Sequence, residues 1–213
     1  SAQIKLLSTA QLDSFSTEYM SVLTSSQGLG LSATQLAAMA TEDFETMSTA
    51  ALNALSAVQI KSLTTDQIAA LSSKQADAIG SAQLAAMTSA QLAAMTTDNL
   101  VLLDSKQIRS LTNTAVAGLT TEQVAAMGTE QIAALTSAQI KVLSSSQVGA
   151  LTTEQVDTMG TSQVAALLTS QVPGIQQDRV SLLETAQIAA FKASQFASML
   201  SAQLAAFLTE QVA

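Results

Sequence analysis

Residues 119–126 read LTTEQVAA, a clean copy of an eight-residue unit that recurs along the whole chain. The fifth position of this octad is Gln at 21 of the 27 places reached by stepping in eights from Gln3 to Gln211. Six other residues stand there without shifting the frame: Tyr19, Asp43, Ala51, Asn99, Ala115 and Arg179. A short, unbroken period indicates a repeat architecture in which each unit buries its apolar side against neighbouring units.

The octad predicts a short helix that restarts in every unit. Eight residues turn a continuous helix by two turns and about 80°, so an apolar stripe of this period would wind around the helix. A restarting helix fits better, because Ser or Thr at position two and Gln at position five have the spacing of a capping box. In residues 119–126, Thr120 becomes the N-cap, Gln123 becomes N3, and Leu119 and Val124 form a hydrophobic staple.

Surface positions of the octad favour a longer period of sixteen residues. Seven of the eight charges at position seven are separated by multiples of sixteen, and Gly80, Gly128 and Gly160 share one sixteen-residue class at position two. We therefore predict an all-α fold: an elongated α-solenoid of very short helices, one per octad, with two helices and sixteen residues per coil. The charged class of helices is expected to form the more exposed layer.

The chemistry of position two changes near the C-terminus. Residues 1–174 are predicted to form a regular octad solenoid, and residues 175–213 to continue it with altered capping. Pro173 and Gly174 should end one helix, and later helices are expected to start one residue late, at Ser201 and Thr209. The chain enters the octad at its third position, which predicts a segment of a longer array without an N-terminal capping unit.

Composition excludes several functions. The net charge is −8 and the eight basic residues are scattered, so the chain has neither the cationic stripe that nucleic acid requires nor a polybasic membrane patch. No apolar run is long enough to predict insertion into a membrane. Cys, His and Trp are absent, which excludes disulfides and thiolate sites. An acidic, Cys-free chain of this kind is typical of a secreted bacterial repeat protein.

No catalytic, cofactor-binding or metal-binding residue is predicted, and no cofactor. The Gln column is interpreted as helix capping rather than as an amide ladder for a ligand, and the Met residues, seven of eight at position one, as core. The Gly-Leu-Gly segment at 28–30 lacks the third Gly of a dinucleotide fingerprint. Asp43, with Glu42 and Glu45, forms the one acidic cluster, interpreted as a solvated face because it lacks the spacing of a calcium loop.

The segments LTTEQVAAM at 119–127 and LTSAQIKVL at 135–143 resemble repeat tracts of large, repetitive bacterial proteins. Such proteins are described as secreted or surface adhesin-like, or as flagellar hook-length-control-like. The resemblance implies a non-enzymatic spacer, stalk or ruler at the bacterial surface. Its expected partners are neighbouring repeats or domains of a longer parent protein, and its own copies through the array ends. The alternative is a solenoid module that binds a peptide, a glycan or ice.

Overall fold

The computed structural model describes residues 3–207, and this part of the chain is all-helical, without a strand. Its α-helices are four to six residues long, and each octad contributes one helix or one short 3-10 turn. The prediction of an α-solenoid built from one very short helix per octad is confirmed. Such helices are too short to be stable in isolation, so packing against other octads must stabilise them.

Two extended residues turn the chain between successive helices. Thr120 caps the helix Thr121–Ala126 with φ −76° and ψ 160°, and Met127, which follows that helix, has φ −56° and ψ 142°. Positions one and two of the octad thus form a corner. No residue in the described range 3–207 has a positive φ, so the corners do not require glycine.

The chain divides into two units, Ser1–Gly118 and Leu119–Ala213. Each unit is a succession of short helices joined at such corners. The first unit begins with a 3-10 turn, Ile4–Leu6, before its first α-helix. Its α-helices are α1 (Thr9–Asp13), α2 (Thr17–Ser21), α3 (Ser25–Gly30), α4 (Ala33–Ala38), α5 (Thr41–Thr46), α6 (Thr49–Ala54), α7 (Ala57–Ser62), α8 (Thr65–Ala69), α9 (Ser73–Ala78), α10 (Ser81–Ala86), α11 (Ser89–Ala94), α12 (Thr97–Leu100), α13 (Ser105–Ser110) and α14 (Asn113–Ala117).

The second unit repeats this arrangement. A 3-10 turn, Val172–Gly174, takes the place of one α-helix there, with Pro173 in its first turn. The α-helices of this unit are α15 (Thr121–Ala126), α16 (Thr129–Ala134), α17 (Ser137–Val142), α18 (Ser145–Ala150), α19 (Thr153–Asp157), α20 (Thr161–Val164), α21 (Gln177–Val180), α22 (Thr185–Ala189), α23 (Ala193–Phe196) and α24 (Ser201–Ala205).

Each helix packs on the helix three octads away. In the first unit, α1, α4, α7, α10 and α13 form one stack, α2, α5, α8, α11 and α14 a second, and the 3-10 turn Ile4–Leu6 with α3, α6, α9 and α12 a third. In the second unit, α16 packs on α19, α19 on α21, and α21 on α24. One coil therefore contains three helices and 24 residues. The predicted coil of two helices and sixteen residues is wrong.

The sixteen-residue signal came from positions that do not contact the neighbouring coil. Position seven faces solvent in both sixteen-residue classes, at Asp157 and Lys141 in one class and at Ala125 and Ala133 in the other. The expected difference between an exposed and an inner layer of helices is therefore also wrong. Every helix lies at the surface and presents one side to the interior of its coil.

Two apolar columns form the core. Every position-six residue from Ile4 to Ile188 is buried, and so is every position-one residue from Leu23 to Met199. Met95 and Met159 belong to the position-one column, which confirms the assignment of the position-one methionines to the core. Among the helices described between residues 3 and 207, none combines the length and the apolar character needed to cross a membrane.

The C-terminal octads keep their phase despite the loss of Ser and Thr at position two. The helix α24 starts at Ser201 with Leu200 as its N-cap, in the same register as the earlier helices, so the expected late start at Ser201 is not found. Thr209 lies outside the described residues. Lys192 and Leu200 supply no side-chain cap, yet the backbone N–H of each still donates to a Gln side chain three residues on. The boundary expected at residue 174 stays a prediction.

Candidate functional site

The position-five Gln side chains lie at the corners between helices. Gln67 is buried, and its Oε1 accepts the backbone N–H of Thr64 at 3.0 Å as the predicted capping box requires. Its Nε2 donates to the backbone carbonyls of Leu36 and Met39, both at 2.7 Å. These carbonyls belong to the coil below, 31 and 28 residues earlier. A single amide thus caps its own helix and ties two coils together.

The same pair of bonds recurs in both units. The Gln residues whose Nε2 donates to the carbonyls 31 and 28 residues earlier are Gln35, Gln59, Gln75, Gln91, Gln155, Gln163, Gln171, Gln187, Gln195 and Gln203, in addition to Gln67. The acceptors are carbonyls at a helix end, which have no partner within their own helix. Both ends of each amide are therefore engaged inside the coil, where no ligand is needed to satisfy them.

The bond between coils was missed in the sequence, although a signal for it was present. A capping box accepts Glu or Gln at N3. Glu nevertheless never occupies position five of this chain. A carboxylate could accept the N–H of the cap but could not donate to the two carbonyls of the coil below. The preference for an amide over an acid thus indicates a required donor.

Ala51 shows how the corner manages without Gln. The N-cap of its helix, Ser48, donates its backbone N–H to the carbonyl of Met20 at 3.1 Å and its hydroxyl to the carbonyl of Leu23. These are the carbonyls 31 and 28 residues before Ala51, which a Gln would otherwise bind. The neighbouring helices approach closely here, because a Cβ on Gly28 would lie 2.5 Å from the carbonyl oxygen of Ala51. The segment 28–30 is thus part of α3 and of a tight helix contact.

We expect Gly28→Ala to destabilise the first unit by about 1–3 kcal/mol, because the added methyl overpacks a contact with rigid backbone. Helix propensity alone predicts the opposite sign, since Ala is favoured over Gly by roughly 1 kcal/mol inside a helix. Denaturant titration of both proteins measures the difference. Gly128→Ser is the control, because a Cβ there meets only Gln131 Oε1 at 3.9 Å. A Gly28→Ala protein as stable as the parent would contradict the close approach.

Asp43 is the position-five residue that fits its place least well. Only 8% of it is exposed, so its assignment to a solvated face is wrong, whereas Glu42 and Glu45 are exposed as expected. Burial raises the pKa of the Asp43 carboxyl, and the charges of Asp13 and Glu42 raise it further. The side chain lines a small cavity with Leu12. An ionised carboxylate here has no proton to donate to the coil below, unlike the Gln of other octads.

Asp43→Gln is expected to stabilise the first unit by about 1–3 kcal/mol at neutral pH, because it removes a desolvated charge and restores the missing donor. A carboxyl whose pKa is higher in the folded chain favours folding when protonated, and that contribution is lost as pH rises through the raised pKa. The advantage of the Gln variant should therefore shrink as pH falls. Denaturant midpoints across pH test this, with the exposed Asp66→Asn as control. Equal midpoints for parent and Asp43→Gln at neutral pH would refute it.

Replacements at two other corners keep a donor. Asn99 Nδ2 donates to the carbonyl of Leu71, 28 residues earlier, at 2.5 Å. Arg179 donates from a terminal guanidinium nitrogen to the carbonyl of Gly149 at 2.6 Å. Both side chains bind the neighbouring coil as Gln does, although they differ from Gln in length. Donation of a hydrogen bond to the coil below is thus the property these replacements share.

Nothing in the described range groups residues suited to a reaction or a metal. No set of three or more Asp and Glu residues that could hold a metal ion occurs between residues 3 and 207. The aromatic residues near the C-terminus pack on one another, with ring centroids 5.7 Å apart for Phe191 and Phe196 and 5.9 Å apart for Phe196 and Phe207. The corners with their Gln residues are accordingly the feature that repeats through both units.

Comparison with known proteins identifies the repeat. A family model described as the ALTTAQ repeat matches residues 36–73, 76–113, 101–137 and 133–161, which together include more than half of the chain. Its letters follow position eight and then positions one to five of the octad, as in ALTTEQ at residues 150–155. Comparison with curated proteins gives no match. The chain belongs to the ALTTAQ repeat family.

Proposed function

We propose that this chain is a non-enzymatic structural repeat region that serves as a spacer or ruler within a larger protein. The observation that carries the proposal is the use of the Gln amides. They hold each corner to the coil below, so the most regular residue of the octad is explained by construction of the coil. A sequence whose repeated polar groups build the array, rather than face a cleft, suits a part that sets distance.

The coil gives such a spacer a fixed increment of length. Stacked helices lie about 8–10 Å apart, so each additional 24 residues lengthens a unit by about that distance. A flexible linker behaves differently, because its mean end-to-end distance grows only with the square root of its length and is broadly distributed. A proportional, sharply defined length is the property that separates a ruler from a tether.

Pulsed electron resonance on spin labels tests this increment within the first unit. The chain has no Cys, so Thr34→Cys and Lys106→Cys, both at exposed positions, would be the only labelling sites. They are 72 residues apart, or three coils. Inserting a second copy of residues 64–87 after Met87 adds one coil in register. The label distance should increase by about 8–10 Å with no broadening.

The matched control inserts 24 residues of Gly and Ser at the same place. That insertion should broaden the distance distribution. If the in-register insertion also broadened the distribution, or left the mean distance unchanged, the spacer proposal would fail. The duplicated segment keeps Gly28 with Ala51, and Ser89 with Gly118, so the two close helix contacts in this unit are undisturbed.

We further propose that the parent is a secreted or surface protein of a bacterium. The acidic, Cys-free composition and the likeness to repeat tracts of adhesin-like and hook-length-control-like proteins support this location. Antibody labelling of intact and of permeabilised cells distinguishes the compartments. Labelling only after permeabilisation would rule out exposure at the surface.

A further inference from the structure

We propose that copies of this chain associate head to tail, the first coil of one copy stacking on the last coil of another. Coils within a unit meet through two kinds of contact. A Gln amide donates to carbonyls 28 and 31 residues earlier, and the apolar residues of positions one and six become buried. Both kinds are incomplete at the two ends of the described array.

The N-terminal end presents unused donors and apolar side chains. Gln11 makes only its capping-box bonds within the described range, and its amide has no carbonyl beneath it. The Gln27 amide reaches only the hydroxyl of Tyr19, at 3.3 Å. Tyr19 is 39% exposed and lies against the half-buried Phe15, with 4.6 Å between ring centroids. A groove lined by these side chains, together with Ile4 and Leu7, runs along this end.

The C-terminal end presents the complementary groups. Leu204 occupies position six, buried in every octad from Ile4 to Ile188, yet it is 47% exposed. The backbone carbonyls of Phe191 and Met199 stand where a Gln amide would bind if another coil followed, and no described residue donates to them. This end offers acceptors and an apolar surface, and the other end offers donors and an apolar groove. The occupant that fits both is a second copy of this chain, joined by the contact that already joins its coils.

Such a contact is heterologous, since it uses two different surfaces, and it can propagate into a chain of copies. Three short helices bury little area, which places the contact among weak interfaces. Association should therefore be visible in sedimentation velocity when concentration is raised over about a hundredfold range. A parent chain that stays monomeric over this range overturns the proposal.

Two variants test the direction of the contact. Gln11→Glu with Tyr19→Glu blocks the N-terminal end by placing carboxylates against carbonyls, while both substitutions remain compatible with capping boxes. Leu204→Lys blocks the C-terminal end at an exposed site. Each variant alone should stay monomeric, whereas an equimolar mixture should form dimers and nothing larger, because one intact pair of ends remains.

The control is Ala133→Lys, which adds a charge at an exposed position away from both ends and should associate like the parent chain. If the mixture stays monomeric, or if either blocked variant still associates, the contact is not head to tail. The spacer proposal is independent of this result, because the label distance within the first unit does not depend on a second copy.

Discussion

Gln67→Glu is expected to lower the free energy of unfolding by about 3–5 kcal/mol at neutral pH, because it buries a carboxylate without a compensating partner. The acid keeps the acceptor for the N–H of Thr64 but loses the donor. It then faces the carbonyls of Leu36 and Met39, which the native amide approaches to 2.7 Å each. Lone pairs oppose one another at a site that is 1% exposed, where water cannot replace the lost bonds.

The measurement is a denaturant titration at low protein concentration, repeated at decreasing pH. Protonation of the introduced carboxyl restores one donor, so the loss should diminish in acid. Gln11→Glu is the matched control, because Gln11 forms the same capping box with Ser8 and binds no coil below. That variant should change stability by less than about 0.5 kcal/mol. Similar losses in both variants would show that capping, rather than the bond between coils, makes Gln necessary.

Removal of one whole octad, residues 64–71, is expected to leave a chain that still unfolds cooperatively. Leu63 would then precede Ser72, and Gln75 would take the place of Gln67 above the carbonyls beneath it. The hydrogen bonds of Asn53 with Gly80 and Ala78 would be lost, at about 0.5–1.5 kcal/mol for each bond. A coil of two unlike layers would instead exchange its inner and outer helices on such a deletion.

Removal of twelve residues, 64–75, is the contrasting deletion. It joins position one of an octad to position six of another, so every later Gln falls out of step with the carbonyls beneath it. We expect loss of the cooperative transition in the first unit, visible by circular dichroism on heating. If the two deletions melt alike, the octad is not the exchangeable element of this fold.

The octad predicted the local structure correctly for identifiable reasons. The Thr120 hydroxyl accepts the backbone N–H of Gln123, and Gln123 accepts that of Thr120, as the capping-box spacing indicated. These bonds span three residues, so their chemistry is contained in the octad itself. The apolar columns followed in the same way, because positions one and six face the same side of each short helix.

The number of helices per coil could not be derived from the same pattern. Contacts between coils involve positions one, five and six, and these carry nearly the same residues in every octad, so nothing in them counts to three. The positions that do vary lie in solvent. Asp43 was misplaced for a related reason: N3 of these helices points into the corner, where an acid is buried however polar the segment looks.

The Gln bonds between coils all run in one direction. Each donor amide comes later in the chain than the carbonyls it binds, by 28 or 31 residues. A ribosome releases the N-terminus first, so both acceptors have left the tunnel when their Gln emerges. Contacts at such short separation close rapidly compared with translation at about 5–20 residues per second. Within each unit, the array can therefore be assembled coil by coil as it is synthesised, with every new corner closing on one already made.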